Sequence, residues 1–214
     1  MEKNLQNYRK SYEKGELLET DVPDEPSILF ENWFNAAEEH PTVDEVNAMT
    51  ISTIELDGFP KNRVVLLKQF DENGFVFYTN YHSDKGRAIE RNPKVCLSFF
   101  WPAMERQIII KGMAAKISEE ESTAYFHSRP RGSQLGALAS NQSEHIASRR
   151  VLEEKLHEVE QQFEGQEIPK PEQWGGYLVV PHSYEFWQGR KNRLHDRMRY
   201  SSYNNSWKVE RLAP

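Results

Sequence analysis

Cysteine is nearly missing from this 214-residue chain: Cys96 stands alone, inside an apolar run. No internal disulfide can form, which fits a reducing compartment, and a small core residue is the expected role of Cys96 rather than a reactive thiol. Long apolar runs are missing too. None approaches the ~18 residues of a membrane-spanning helix, and the opening Met1-Glu2-Lys3-Asn4-Leu5 lacks the apolar stretch of a signal peptide. A cytoplasmic protein with no membrane partner is the expectation. Asn141-Gln142-Ser143 and Asn204-Asn205-Ser206 match the glycosylation pattern, but without a secretion signal they carry no weight. Excess positive charge is lacking as well: the formal net charge is −6, so nucleic acid is not an expected partner.

Several catalytic signatures are absent. The chain has no glycine-rich dinucleotide fingerprint, no P-loop and no nucleophile elbow. His157-Glu158 has no second histidine four residues on, and the histidines at 40, 82, 127, 145, 157, 182 and 195 are scattered without a cysteine pair. No metal site is expected. These gaps remove the usual support for hydrolase, kinase and metalloenzyme readings.

What is present is aromatic and strand-rich. Runs such as Phe75-Val76-Phe77-Tyr78 and Phe99-Phe100-Trp101 argue for a packed globule. Residues 1–26 are polar, carry Pro23 and Pro26, and read as a partly mobile arm. Residues 27–214 read as a single domain, because no linker interrupts them. Ser27 is the expected N-cap of a helix to about His40, with Leu29, Trp33, Ala36 and Ala37 as its apolar stripe. Strands are predicted over 49–56, 63–70, 75–79, 95–101 and 106–117, with turns at Asp57-Gly58 and at Asp71-Glu72-Asn73-Gly74. A short helix is predicted over 84–91, stopped before Pro93. Ser118-Glu119-Glu120-Glu121 is a capping-box signature for a helix to about Ser128. Further helices are predicted over 133–139 and 143–163, the latter with Leu152, Leu156, Val159 and Phe163 facing inward. Strands resume over 176–180, 184–188, 197–203 and 207–212, the last pair turning at Asn204-Asn205. The fold class is mainly β with peripheral helices (α+β), a closed or nearly closed barrel. The lack of βαβ alternation argues against a doubly wound sheet.

Three segments concentrate cations and polar donors. In Arg63-Val64-Val65-Leu66-Leu67-Lys68 two cations bracket four apolar residues, and strand alternation sends them to opposite faces. They either reach for water at strand ends or meet phosphates across the floor of a site. His127-Ser128-Arg129-Pro130-Arg131-Gly132-Ser133 combines guanidinium groups, hydroxyls and a glycine on a turn between helices. It reads either as a phosphate cradle or as a cationic helix end answering the macrodipole. In Arg193-Leu194-His195-Asp196-Arg197, read as a strand, Arg193, His195 and Arg197 share one face. A basic stripe near Trp187 suits an aromatic phosphorylated ligand.

The strings at 63–68, Phe-Tyr-Thr-Asn (77–80), Glu-Arg-Gln (105–107), Tyr-Phe-His-Ser-Arg-Pro (125–130), Asn-Gln-Ser (141–143), Glu-Phe-Trp-Gln-Gly (185–189), Arg-Leu-His-Asp-Arg (193–197) and Glu-Arg-Leu-Ala-Pro (210–214) carry a resemblance. Taken in order, they resemble the FMN-dependent pyridoxine/pyridoxamine 5′-phosphate oxidase family over nearly the whole chain. The resemblance implies a split β-barrel of FMN-binding type, forming a homodimer with FMN at the subunit interface. It implies FMN contacts from Arg63, Val64, Val65, Leu66, Leu67, Lys68, Tyr78, Thr79, Lys85, Gln107, Gln142, Ser143, Trp187 and Arg197. Substrate contacts are implied for Lys68, Tyr125, Arg129, Ser133, Arg193, Leu194 and His195, with Arg193 and His195 as the catalytic pair, and for the arm residues Arg9, Lys10, Ser11 and Tyr12. The implied reaction takes pyridoxamine or pyridoxine 5′-phosphate to pyridoxal 5′-phosphate, with O2 as acceptor and H2O2 released. Asp84 departs from the family, whose members often carry arginine there beside the flavin phosphate. Lys10 and Ser11 also depart from an Arg-Glu pair in some relatives. Two other readings stay open: a different split-barrel flavin reductase, and a non-catalytic carrier of FMN or pyridoxal phosphate.

Overall fold

A computed structural model describes residues 3–204 and 206–214. In chain order the elements are α1 (Pro26–Glu38), β1 (Ala48–Ile54), β2 (Pro60–Leu66), β3 (Gln69–Asp71), β4 (Gly74–Asn80), α2 (Asp84–Arg91), β5 (Lys94–Trp101), β6 (Arg106–Lys116), α3 (Glu119–Ser128), α4 (Arg131–Ala139), α5 (Arg149–Gln162), β7 (Trp174–Gln188), β8 (Asp196–Tyr203) and β9 (Ser206–Arg211). The strands pair in the order β2-β1-β5-β6-β7-β4-β3, with β8 on β7 and β9 on β8. The α+β reading, mainly β with helices outside the strand run, therefore holds. The chain divides into two compact units: Met1–Met49, Leu97–Lys111 and Pro181–Pro214 form one, and Thr50–Cys96 and Gly112–Val180 the other.

The core of the first unit is aromatic. Phe30, Phe99, Phe186 and Tyr200 are fully buried, and Phe30 meets Phe99 edge-on at 5.3 Å. Trp33 meets Phe186 at 5.4 Å, and Phe186 meets Tyr200 at 5.7 Å. Edge-to-face geometry of this kind adds about 0.5–1.5 kcal/mol per pair beyond area burial. The buried Tyr200 hydroxyl donates to the Pro23 carbonyl at 2.7 Å, so the polar tip is satisfied and the segment ahead of α1 is tied down. Helix α1 starts one residue before the expected Ser27 cap. Glu25 is its N-cap and Pro26 its first residue, where a fixed φ and a missing N–H cost nothing.

In the second unit Phe126, Leu135, Ala139, Val159, Ile168 and Trp174 form a cluster beneath α3, α4 and α5. The capping box of α3 is present in full, Ser118 Oγ accepting from Glu121 N–H and Glu121 Oε2 from Ser118 N–H, each at 3.1 Å. Helix α5 begins at Arg149, six residues later than expected, and Ser143 takes a left-handed φ of 77° that no helix tolerates. Of its expected stripe Val159 is buried, while Leu156 and Phe163 pack from the rim.

Two further differences shape the site. The strand expected over 63–70 breaks after Leu66: Lys68 N–H donates to Val76 O at 2.8 Å and β3 starts at Gln69. Alternation therefore does not relate Arg63 to Lys68. Conversely, the two strands expected over 176–180 and 184–188 are one, β7, running through Pro181. β4 pairs with Trp174–Val179 and β8 with Ser183–Gln188. Pro181 falls between those two ladders, where neither needs its missing N–H. Asn204 turns at φ 49° ahead of β9; Asn205, the second residue of the expected turn, lies outside the described residues.

Candidate active site

In the second unit, β2, β4, α2, α3 and α4 enclose a cavity of ≈ 550 Å³. The Arg-Val-Val-Leu-Leu-Lys segment supplies Val64, Val65, Leu66 and Lys68. β4 supplies Tyr78 and Thr79, α2 supplies Lys85, and the helical segments add Tyr125, Arg129 and Ser133, with Gln142 following α4. Eleven of the residues expected at a cofactor or substrate site thus share one cavity. Asn80, Gly136, Ala137, Ser140 and Trp174 also line it and were not anticipated. Trp174 carried a signal only in its type, since aromatic side chains commonly line ligand pockets. The small α4 residues carried none.

The electrostatics are one-sided. The lining holds three cations, Lys68, Lys85 and Arg129, and no carboxylate. Lys85 is 8% exposed. Its ammonium donates only to neutral oxygens, Gln142 Oε1 at 2.8 Å and Thr79 Oγ1 at 3.1 Å. Burial first, then the nearby Arg63 charge, push it down to about 8 from 10.5. Arg129 stacks over Trp174 at 4.7 Å, and its Nη1 is buried with no hydrogen-bond partner among the described residues. A buried donor left unpaired costs about 1–3 kcal/mol, so this nitrogen is poised for an acceptor from outside the chain. Tyr78 stacks on Tyr125 at 3.8 Å and on Trp174 at 5.4 Å, giving the cavity a flat aromatic wall.

Arg63, Leu67 and Ser143 belong to the same unit but do not line this cavity. Arg63 donates to Glu55 Oε1 at 2.7 Å and to Thr53 Oγ1 at 2.6 Å, so its charge is met inside the β1–β2 hairpin. Burial would raise the Glu55 carboxyl, but Thr53 and Arg63 together hold it below its ordinary range. Leu67 is buried. Ser143 Oγ accepts from Asp84 N–H at 3.3 Å. The Asp84 carboxylate faces Lys61 at 2.8 Å and Arg87 at 2.9 Å, and these two cations, Lys61 foremost, lower it. The departure from arginine at this position is thus neutralised locally, and Lys85 remains the buried cation of α2.

The other unit gathers the rest. A cavity of ≈ 560 Å³ is lined by Arg9, Lys10, Ser11 and Tyr12 of the arm with Trp187, Arg193 and His195, and also by Tyr8, Arg190 and Asn192. The expected basic strand is not a strand here. Lys191–Arg193 form a short 3-10 turn, Asn192 and Arg193 adopt φ 58° and 63°, and β8 starts only at Asp196. Two successive left-handed residues reverse the chain, so alternation cannot put Arg193, His195 and Arg197 on one face. The turn instead brings Arg190 N–H to His195 Nδ1 at 3.0 Å. With Nδ1 accepting, the neutral ring carries its proton on Nε2. Burial first, then the Arg193 charge, lower the His195 pKa, which favours that neutral form. Leu194 is 68% exposed and lies outside this cavity. Arg197 is engaged by Glu185 Oε1 at 2.7 Å and by the Ala213 carbonyl at 2.8 Å. Gln107 donates to Ser98 Oγ at 3.1 Å. Among the described residues no cluster of three His, Cys, Asp or Glu could hold a metal ion.

A strand-dominated fold with a carboxylate-free, tri-cationic, aromatic-walled cavity defines a binder of phosphorylated ring compounds. Residues 36–163 match the profile described as pyridoxamine 5′-phosphate oxidase, and residues 174–214 that of the pyridoxine 5′-phosphate oxidase C-terminal dimerisation region. The chain is 61% identical to the pyridoxine/pyridoxamine 5′-phosphate oxidase of Christiangramia forsetii, covering 100% of both chains. It is 64% identical to that of Flavobacterium johnsoniae, over 98% of this chain and 99% of that one. The crystal structure of PhzG from Burkholderia lata with tetrahydrophenazine-1-carboxylic acid superposes with a TM-score of 0.85 at 31% identity, covering 91% of this chain and 95% of that one. The chain belongs to the pyridoxine/pyridoxamine 5′-phosphate oxidase family.

Proposed function

We propose that this chain is an FMN-dependent oxidase that converts pyridoxamine 5′-phosphate or pyridoxine 5′-phosphate to pyridoxal 5′-phosphate, with O2 as acceptor. The observation that carries this reading is the cavity holding Lys68, Lys85 and Arg129 with no carboxylate in its lining. Both the cofactor and the substrate are phosphorylated aromatic compounds, and charge-assisted bonds to phosphate need such unpaired cations. The residues present fit FMN: Lys85, Thr79 and Gln142 would hold its phosphate, with Val64, Val65 and Leu66 as the apolar floor. Lys68, Tyr125, Arg129 and Ser133 would hold the substrate phosphate. The redox chemistry is what FMN supplies when bound: acceptance of a hydride from the 4′ carbon and return of the electrons to O2 as H2O2.

The protein's own part is placement and polarity. A fixed phosphate leaves the pyridine ring few orientations, and orientation of this kind supplies a large share of the lowering of a barrier. Neutral His195, with its proton on Nε2, can donate a hydrogen bond to the substrate or return one to solvent, and Arg193 adds a positive field beside it. We assign the protein to the cytoplasm, in keeping with a sequence whose single cysteine leaves no internal disulfide to form; among the described residues no helix is long and apolar enough to cross a membrane. We also infer a homodimer with FMN at the subunit interface. In support, the dimerisation region at 174–214 contains Trp187, Arg193, His195 and Arg197. We assign Trp187, Arg197 and Gln107 to the flavin set, and Leu194 and the arm residues to the substrate set.

The test is direct. The purified protein should show a flavin spectrum, and pyridoxine 5′-phosphate added in air should yield aldehyde and peroxide. Bound flavin without product would favour the carrier reading. Substituting Arg193 or His195 by alanine should lower kcat/KM by roughly 10²- to 10³-fold, as expected for groups acting near the reacting atoms, while flavin stays bound. Loss of flavin from either variant would reassign them to the cofactor.

Lys85 makes a pH prediction. Below pH about 8 its ammonium is charged and ready for phosphate. Above that value, binding an anion must first restore the proton, so FMN affinity should fall up to ~10-fold per pH unit. Ligand-free stability should run the other way. The folded value lies below the unfolded 10.5, so from about 8 to 10.5 the unfolded chain binds the extra proton and the fold gains stability as pH rises. Flavin titrations and thermal melts between pH 7 and 10 read both slopes; a flat affinity profile would remove Lys85 from the phosphate site.

A further inference from the structure

Glu105 is an odd residue for its place. It ends the turn between β5 and β6 with a left-handed φ of 57° and is only 2% exposed. Side chains other than glycine or asparagine are uncommon in that backbone region and persist where the surroundings require them. The turn itself does not need the carboxylate. Its main chain is already tied, Gly189 N–H donating to the Glu105 carbonyl at 2.7 Å and Gln188 Nε2 to the same oxygen at 3.3 Å.

The carboxylate is committed to the arm instead. Oε2 accepts from Glu13 N–H at 2.7 Å and Lys14 N–H at 3.0 Å, and Oε1 faces Lys10 Nζ at 3.4 Å. Lys14 Nζ adds a bond to the Ala103 carbonyl of the same turn at 2.5 Å. Two consecutive main-chain donors on one buried oxygen anchor the arm's backbone, and the Lys10 and Lys14 side chains on either side set its register, because a slip of one residue would break both of those contacts. Register matters because the preceding residue is Tyr12. Its ring stands edge-on to Trp187 at 5.7 Å and to His195 at 5.5 Å. The fit has no slack: a β-carbon on Gly189 would come within 2.9 Å of Tyr12 Cβ.

We propose that Glu105 is a positioning residue that latches the arm through Glu13 and Lys14, holding Tyr12 against Trp187 and His195. The arm side of that cavity exists only while the latch is made. The consequence for turnover rests on the functional reading above; the latch itself does not.

The test uses the full-length, flavin-loaded protein. In Glu105→Ala, amide exchange at Glu13 and Lys14 should rise at least ~10-fold while exchange within β5 and β6 is unchanged. Flavin should be retained, and kcat/KM for pyridoxine 5′-phosphate should fall about tenfold. Glu105→Gln, which keeps an acceptor oxygen but loses the charge facing Lys10, should fall between parent and Glu105→Ala in both readouts. If Glu105 acts through Tyr12, adding Glu105→Ala to Tyr12→Ala should lower kcat/KM by no more than about twofold further. Preserved protection at Glu13 and Lys14, or penalties that multiply in the double variant, would overturn the proposal. Should Glu105→Ala fail to fold, the same exchange measurement and cycle with Glu105→Gln decide it. A parent protein without oxidase activity would defeat the functional reading alone, since the exchange data still report on the latch.

Discussion

Arg129→Ala should raise KM for pyridoxine 5′-phosphate by roughly 30- to 100-fold, the equivalent of about 2–3 kcal/mol for a lost charge-assisted bond to phosphate. Its Nη1 is buried without a hydrogen-bond partner among the described residues, so truncation removes an unmet donor rather than a made bond. The cost to folding comes from the guanidinium's contacts with the Trp174 and Phe126 rings, worth about 0.5–1 kcal/mol each. The melting temperature should therefore stay within a few degrees of the parent while KM moves by more than an order of magnitude. That separation identifies a residue kept for its ligand. Flavin affinity should be unchanged, because Lys85, Thr79 and Gln142 form a separate donor group. Steady-state kinetics on the flavin-loaded variant provide the measurement, and an unaltered KM would sink the assignment.

Lys85→Met should release the flavin. Methionine keeps most of the volume of the lysine stem while removing the one buried ammonium of α2. Losing a charge-assisted contact of this kind should weaken FMN binding by about 100-fold. The alkaline decline in FMN affinity should disappear with it, because the titrating group is gone. Ligand-free stability at pH 7 should hold or rise, since the parent confines a charge away from water there and a hydrophobic replacement does not. Equilibrium dialysis or fluorescence quenching at pH 7 and pH 9 decides the matter. Affinity within threefold of the parent, or a pH dependence that survives the substitution, would place the phosphate elsewhere. Lys61 and Arg87 are poor substitutes, since both already face Asp84.

Local chemistry was legible in the sequence wherever it was self-contained. The Ser118 capping box, the helix from Asp84 to Arg91 and the Asp71–Gly74 turn depend on residues a few positions apart, and all stand as read. The cavity residues were legible as strings, because segments such as 63–68 and 125–130 carry donors that a bland core does not need. Alternation misled at Arg193–Arg197, since two left-handed residues were spent there to aim His195 at Arg190 N–H. It misled again at 63–68, where the chain breaks after Leu66 so that Lys68 N–H can reach Val76.

By itself, then, the sequence determined the strand-rich fold class, the missing metal and nucleotide motifs, the family, and which side chains bring positive charge. Those properties follow from composition, short-range periodicity and ordered motifs. Only the tertiary structure decided which cations are already met by a carboxylate of the chain. Arg63 and Arg197 are answered by Glu55 and Glu185, while Lys68, Lys85 and Arg129 share a lining with no carboxylate. It also decided that Glu105, part of the Glu-Arg-Gln motif but given no role in the sequence, meets an arm some ninety residues away in the chain. Long-range pairing of charges and donors depends on where the folded backbone brings distant segments, and no local pattern encodes that.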